Sequence, residues 1–357
     1  MSALPTNMTR RRFAQLIAAG GASVACAGVL SACGGNGADG SSSANDTEVK
    51  SQVIVAMNMN SEPAAGFDPF VSWGCGEHVH EPLIQSTLIT TDANLEFVND
   101  LATEYYCADD GMTWYFTIRE DAKFTDGEPL SASDVAFTIN GIIESEAAEA
   151  DLSMVEKAVA TDDTHVEIAM AKPYNALLYT LAVVGIVPEH AHGEDYGANP
   201  IGSGRYMLEQ WDRGQQVILK ANPDYYGEAP KMERVVVVFM EEDAALAAVR
   251  AGQVDIAYTS ATYSDQTSEG YELFACETVD SRGISLPSIA AGQTKADGAN
   301  EYPAGNDATC DLAVRRAINY GVDRQAMIDN VLNGYGTPAY SVCDSSPWGS
   351  PDMKVET

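Results

Sequence analysis

The side chains best suited to chemistry are concentrated in one stretch, Val71-Ser72-Trp73-Gly74-Cys75-Gly76-Glu77-His78-Val79-His80. A thiolate, a carboxylate and two imidazoles are donors that a divalent transition metal accepts. His78 and His80 are two apart, and an extended backbone puts both rings on one side. The competing reading is a surface histidine beside a packing Trp73. Trp73 could equally line a pocket, because ligand clefts favour aromatic walls. The spacing fits no zinc rule, and Cys-x-x-Cys does not occur. HExxH, GxSxG, the P-loop and a GxGxxG after a strand are also absent. No nucleophile pairs visibly with a base, so no catalytic constellation is recognisable.

A second reactive group is Cys33. It closes Leu30-Ser31-Ala32-Cys33, a lipobox, after a weakly apolar stretch from Leu16 to Leu30. Upstream stands Thr9-Arg10-Arg11-Arg12-Phe13, a twin-arginine export signal. The apolar run is too short and too rich in Gly and Ala to span a bilayer comfortably. Residues 1–33 therefore read as a lipoprotein signal peptide. Cleavage before Cys33 leaves its thiol for lipid attachment, on the extracytoplasmic face of the cell membrane (periplasmic or cell-surface side). Residues 34–48, rich in Gly, Ser and Asn, have nothing to bury and read as a flexible linker.

The rest of the 357-residue chain is long enough for about two domains. Its formal net charge of −32 excludes a nucleic-acid partner and a polybasic membrane patch, both of which need basic surface. Solubility in an exposed location is the simpler reading of the charge. Beyond Cys33 stand Cys75, Cys107, Cys276, Cys310 and Cys343. The number is odd and the spacings long, so no disulfide pairing follows.

Periodicity supplies the scaffold. Strands are expected at Gln52 to Met57, Met112 to Arg119, His165 to Met170, Gln216 to Lys220, Arg234 to Phe239 and Val254 to Tyr258. In the second of these Trp114, Phe116 and Ile118 share one face, which makes Trp114 a core aromatic; Tyr225 reads as a packing aromatic too. Phe67-Asp68-Pro69-Phe70 turns the chain. Ser131 with Asp134 forms a capping-box pattern ahead of a helix burying Val135, Ile139, Ile142 and Ile143. Asp243 is expected to cap a helix through Arg250, and two helices are expected at Asp311 to Tyr320 and Asp323 to Leu332. Residues 281–309 read as a long loop after one short strand. Gly202 and Gly204 flank one residue before a strand, which suits a sharp turn or a close backbone approach. Strands alternating with helices give an α/β class.

Four ordered blocks carry a resemblance. The first runs from Leu101-Ala102-Thr103-Glu104-Tyr105 through Asp110-Gly111-Met112-Thr113-Trp114 and Phe124-Thr125-Asp126-Gly127 to Ala132-Ser133-Asp134-Val135. The second is Pro200-Ile201-Gly202-Ser203-Gly204-Arg205-Tyr206 with Asn222-Pro223-Asp224-Tyr225-Tyr226-Gly227, Arg205 standing where proline is usual. Ala251-Gly252-Gln253-Val254-Asp255 is the third, and Val314-Arg315-Arg316-Ala317-Ile318-Asn319-Tyr320 with Asp323-Arg324 and Asn333-Gly334 the fourth. Together they resemble the family 5 extracellular solute-binding proteins of bacterial ABC importers, the oligopeptide, dipeptide and nickel-binding class.

The resemblance implies a two-lobed periplasmic-binding-protein fold (type II, cluster C-like) with an inserted extra subdomain. Lobe I would be discontinuous, 49–84 and 195–258, with the insertion at 85–194 and a second ligand-binding lobe beginning in 259–357. It also implies that the C-terminal part is missing, as a fragment or a truncated reading frame, which would leave apolar faces of the last helices uncovered. Ligand residues are expected in the loop after the first strand, at Trp73, Cys75, Glu77 and His78. A second zone, by loose alignment, is Asp151 and Met154 with Val184 and Gly185. The implied function is capture of a short peptide and delivery to ABC permease subunits with their ATPase. The alternatives are nickel or a nickel chelate as cargo, ligated by His78, His80 and Cys75, or a peptide-sensing lipoprotein. No cofactor is expected beyond nickel as a transported ligand.

Overall fold

The computed structural model describes residues 51–63, 65–71, 82–266, 268–276, 278, 281–297 and 300–341. In chain order, the first half holds β1 (Gln52–Met57), β2 (Ile89–Thr91), β3 (Phe97–Asn99), β4 (Ala102–Cys107), β5 (Thr113–Ile118) and α1 (Ala132–Glu144). Next come β6 (Val155–Ala160), β7 (His165–Met170), α2 (Leu177–Leu181), β8 (Tyr206–Asp212), β9 (Gln216–Ala221) and β10 (Arg234–Phe239). The remainder is α3 (Glu242–Arg250), β11 (Ile256–Ala257), β12 (Gln293–Asp297), β13 (Asn300–Ala304), α4 (Leu312–Gly321) and α5 (Arg324–Val331). No helix among the described residues is long and apolar enough to cross a membrane.

Two larger sheets, beside the short β2–β3 hairpin, organise residues 51–258. The first has strand order β11-β1-β10-β9-β8, with β1 parallel to β10 and β11 and the other pairs antiparallel. Its strands come from both sides of the 85–194 stretch, so β1 reaches partners far along the chain. Leu219, Val217, Tyr206 and Phe239 bury one face, with Phe67 and Trp211 packed against them. The second sheet, β4-β5-β7-β6, is wholly antiparallel and drawn from local sequence. Trp114, Phe116 and Ile118 of β5 point into its core with Val166 and Ile168 of β7 and the Val135–Ile139–Ile142 face of α1. Alternation every second residue on the strands and every third or fourth on the helix aims all of them inward.

Helix α1 starts as its sequence requires. Ser131 is extended, and its N–H donates to Asp134 Oδ2 at 2.9 Å. The second oxygen of Asp134 accepts from the Glu189 N–H at 3.0 Å, which ties the helix start to a distant segment.

Several expectations need correction. Helix α3 is capped by Glu241, which is extended, and Asp243 lies inside the first turn, where its charge complements the helix dipole. The strand expected at Val254 to Tyr258 shortens to the paired residues of β11, although Asp255 and Tyr258 still donate backbone N–H groups to Ile54 and Ala56. The loop expected at 281–309 contains the β12–β13 hairpin. From 259 to 341, Ile328 alone among the described residues is buried, and Leu312, Tyr320, Met327 and Val331 on α4 and α5 face solvent.

Candidate functional site

Residues 72–81 lie outside the described residues, and with them Trp73, Cys75, Glu77, His78 and His80; Cys33 does too. What the structure defines is how the chain enters and leaves that stretch. On the entry side, Gly66 (φ +91°) lies so close to the chain at Gly197 that an added Cβ would sit 2.4 Å from the Gly197 carbonyl oxygen. Phe67 N–H donates to that oxygen at 2.9 Å, and the Phe67 ring meets Trp211 edge-on at 5.2 Å. Asp68 Oδ1 accepts the Phe70 N–H at 2.9 Å, which closes the turn that Pro69 prescribes. The Phe70 ring lies against His192 and Phe137 and fills the space over Gly141, where a Cβ would come within 2.1 Å of it. Ser145 Oγ, just past the end of α1, donates to the Phe70 carbonyl at 2.6 Å.

The exit side is held as firmly. Gln85 Nε2 donates to the Phe67 carbonyl at 2.8 Å and bonds the buried Tyr196 hydroxyl at 3.2 Å. Burial pushes the pKa of Tyr196 well up, so the phenol is neutral and donates to the Ile201 carbonyl. Gly202 and Gly204 run backbone to backbone along 83–85, where Gly204 and Tyr206 donate N–H groups to Ile84 and Leu83. Gly185 packs its bare α-carbon against Gln85 and Pro82.

The second expected zone divides. Gly185 adjoins the exit stretch, but the Val184 side chain is buried in the core around α1 and offers only backbone. Asp151 and Met154 stand on a different turn, ahead of β6. Hydrogen bonds from the Ser153 side chain and backbone hold the Asp151 carboxyl below its usual range. Met154 packs on the core and accepts the Ala171 N–H through its carbonyl at 2.9 Å. Sequence reasoning missed Gln85, Ser145 and His192 and saw Asp68 only as part of a turn. His192 and Asp68 are 124 residues apart, and no spacing rule connects them. An open concavity of about 800 Å³ lies elsewhere, lined by Asn99, Thr103, Thr117, Arg119 and His165. Its guanidinium is engaged by Asp121 at 2.6 Å and lies over the Tyr226 ring at 4.1 Å. Among the described residues no group of three or more His, Cys, Asp or Glu side chains could hold a metal ion.

Comparison with known proteins decides the class. The model for bacterial extracellular solute-binding proteins, family 5 Middle, matches residues 96–357. The chain belongs to this family. Protein XP55 of Streptomyces lividans is 32% identical over 98% of this chain and 62% of its own length. The probable D,D-dipeptide-binding periplasmic protein DdpA of Escherichia coli is 28% identical over 76% of this chain and 52% of its own. Among solved structures, NikZ from Campylobacter jejuni in complex with Ni(L-His) superposes with a TM-score of 0.70 at 24% identity, covering 85% of this chain and 59% of NikZ. The fold is therefore the mixed α/β, two-lobed type II fold of periplasmic binding proteins. The chain spans about half to three fifths of the length of the family members it matches.

Proposed function

We propose that the protein is the lipid-anchored solute-binding component of an ABC importer, capturing a short peptide outside the cytoplasmic membrane and delivering it to permease subunits with their ATPase. The family match over residues 96–357 carries this reading, with DdpA, named for a dipeptide, as support for the cargo. Lobe I would comprise 49–84 and 195–258 and the inserted subdomain 85–194, with the second ligand-binding lobe beginning at 259. The two-sheet division of residues 51–258 supports that arrangement. Peptide capture needs backbone hydrogen bonds and wet side-chain pockets, and no bond is made or broken.

Trp73, Cys75, Glu77 and His78 are the proposed solute contacts, with Gly185 backbone, Val184 backbone, Asp151 and Met154 as a second zone. Cys33 is the proposed lipid attachment site. A second reading makes the cargo nickel or a nickel chelate held by His78, His80 and Cys75. The donor chemistry of that stretch favours it, and NikZ carries Ni(L-His) on the same fold.

Cys33→Ser tests anchor and cargo together. The variant should leave the membrane fraction for the soluble fraction while its peptide affinity stays within about twofold, because an N-terminal tether adds no contact to the cleft. Retention in the membrane fraction would remove the anchor, and absence of peptide binding in both forms would remove the peptide.

A further inference from the structure

Each histidine among the described residues faces an aspartate, and two of them share one short stretch, Glu189 to His192. His190 Nε2 lies 2.7 Å from Asp126 Oδ2, in the turn that precedes α1, and its ring meets Phe124 edge-on at 5.9 Å. His192 Nε2 lies 3.1 Å from both oxygens of Asp68. The His192 ring rests on Phe70 at 4.2 Å, Tyr196 at 5.0 Å and Phe137 at 5.5 Å. This pair is nearly enclosed, with its side chains 14% and 13% exposed. The stretch thus joins three elements: the turn at 124–128, the start of α1 through Asp134, and the 66–71 segment through Asp68.

We infer that residues 189–192 form a proton-dependent strap that grips the 66–71 segment and the turn before α1 most tightly in acid. A neutral imidazole offers one N–H at Nε2 and no charge. Against an ionised aspartate the imidazolium adds a full positive charge, turning a hydrogen bond with one charged partner into an ion pair. The titratable groups facing His190 are Asp126, Asp134 and Glu128, and those facing His192 are Asp68 and Tyr196. All the charged ones are carboxylates, and around His190 each of them favours the protonated ring. The hydrogen bond to Asp126, reinforced by the charges of Asp126, Asp134 and Glu128, lifts His190 above the usual histidine value against the opposing effect of burial. A raised folded pKa stabilises fully below the unfolded value and loses its contribution as pH rises through the folded one. The strap therefore loosens on the alkaline side of about pH 6.5. Asp68 also fixes the Phe70 N–H, so a weaker strap frees the segment leading to Val71. This inference rests on the fold and not on the nature of the solute.

The test compares the wild-type chain with His190→Gln/His192→Gln by thermal unfolding at about pH 5.5 and about pH 8, either side of the histidine range. The variant should melt about 2–5 °C below wild type at the acidic pH, and the gap should at least halve at the alkaline one. An equal gap at both pH values, or a larger one at pH 8, overturns the strap. Amide hydrogen exchange on the wild-type chain gives a second measure should the variant not fold. Protection at 67–71, corrected for the intrinsic pH dependence of exchange, should rise several-fold in acid. Protection that stays constant with pH overturns the inference as well.

Discussion

Gly202→Ala should destabilise the protein by about 3 kcal/mol, near the top of what an overpacked interior imposes. The new methyl would sit 2.0 Å from the Ile84 carbonyl oxygen and 2.6 Å from its carbon. These are backbone atoms, and they are held on both sides. Ile84 O accepts the Gly204 N–H at 2.8 Å, and Gly202 O accepts the Thr125 N–H at 2.9 Å. No flexible side chain can give way, so the two backbones must separate and release both bonds. Ser203, between the two glycines, is fully buried, so the opened gap lies in the interior. Gly193→Ala is the matched control. A Cβ there meets nothing within 4 Å, and the change should be neutral or slightly stabilising through the unfolded chain. Urea unfolding of the pair reads the difference directly. Equal midpoints for the two variants would contradict the close backbone approach.

Phe116→Ala should cost more, about 3–5 kcal/mol, as large-to-small changes at fully enclosed aromatics do. Phe116 is 1% exposed on the central strand β5, stacked on Tyr105 at 5.7 Å and adjoining Trp114 at 6.4 Å. Its loss empties the middle of the core that α1, β5 and β7 share. Trp211 packs on the other core, against Phe67 and the five-stranded sheet. Fluorine NMR of tryptophan-labelled protein can follow the two indoles separately. If residues 85–194 form a subdomain of their own, Trp114 should lose its native signal at lower urea than Trp211. Loss of both signals at one midpoint would show a single cooperative unit and contradict the inserted subdomain.

Where a local rule governs, the sequence could be read correctly. Alternation placed Trp114, Phe116 and Ile118 on one buried face, and helical spacing placed Val135, Ile139 and Ile142 on another, with Ile143 only partly buried at its edge. The Ser131–Asp134 pairing follows from chemistry within one turn. Gly202 and Gly204 suggested close backbone approach, and they lie against 83–85. Three of the strands without an expected range share a physical cause. β4, β6 and β8 each carry a register irregularity, between Ala102 and Glu104, Val155 and Lys157, and Leu208 and Gln210. A bulge shifts the side chains that follow onto the opposite face and breaks the two-residue period. The β12–β13 hairpin, Gln293-Thr294-Lys295-Ala296-Asp297 and Asn300-Glu301-Tyr302-Pro303-Ala304, shows no apolar period in its sequence, and Pro303 within β13 argues against a strand by the usual rule. For the candidate site, sequence chemistry marked the ligand-type side chains of 73–80. It could not see the contacts that fix the flanks, because Asp68 meets His192 and Phe70 meets Ser145 only once the chain has folded. Contacts separated by so much sequence leave no periodic signature.

Native mass spectrometry of the protein purified from its own host, looking for the molecule that travels with it, tests the central claim most directly. A solute-binding protein for short peptides should carry a ladder of peptide masses that collapses to the bare chain on denaturation. A single bound species with a nickel isotope pattern, lost in His78→Ala/His80→Ala, would contradict the peptide reading and establish the metal one.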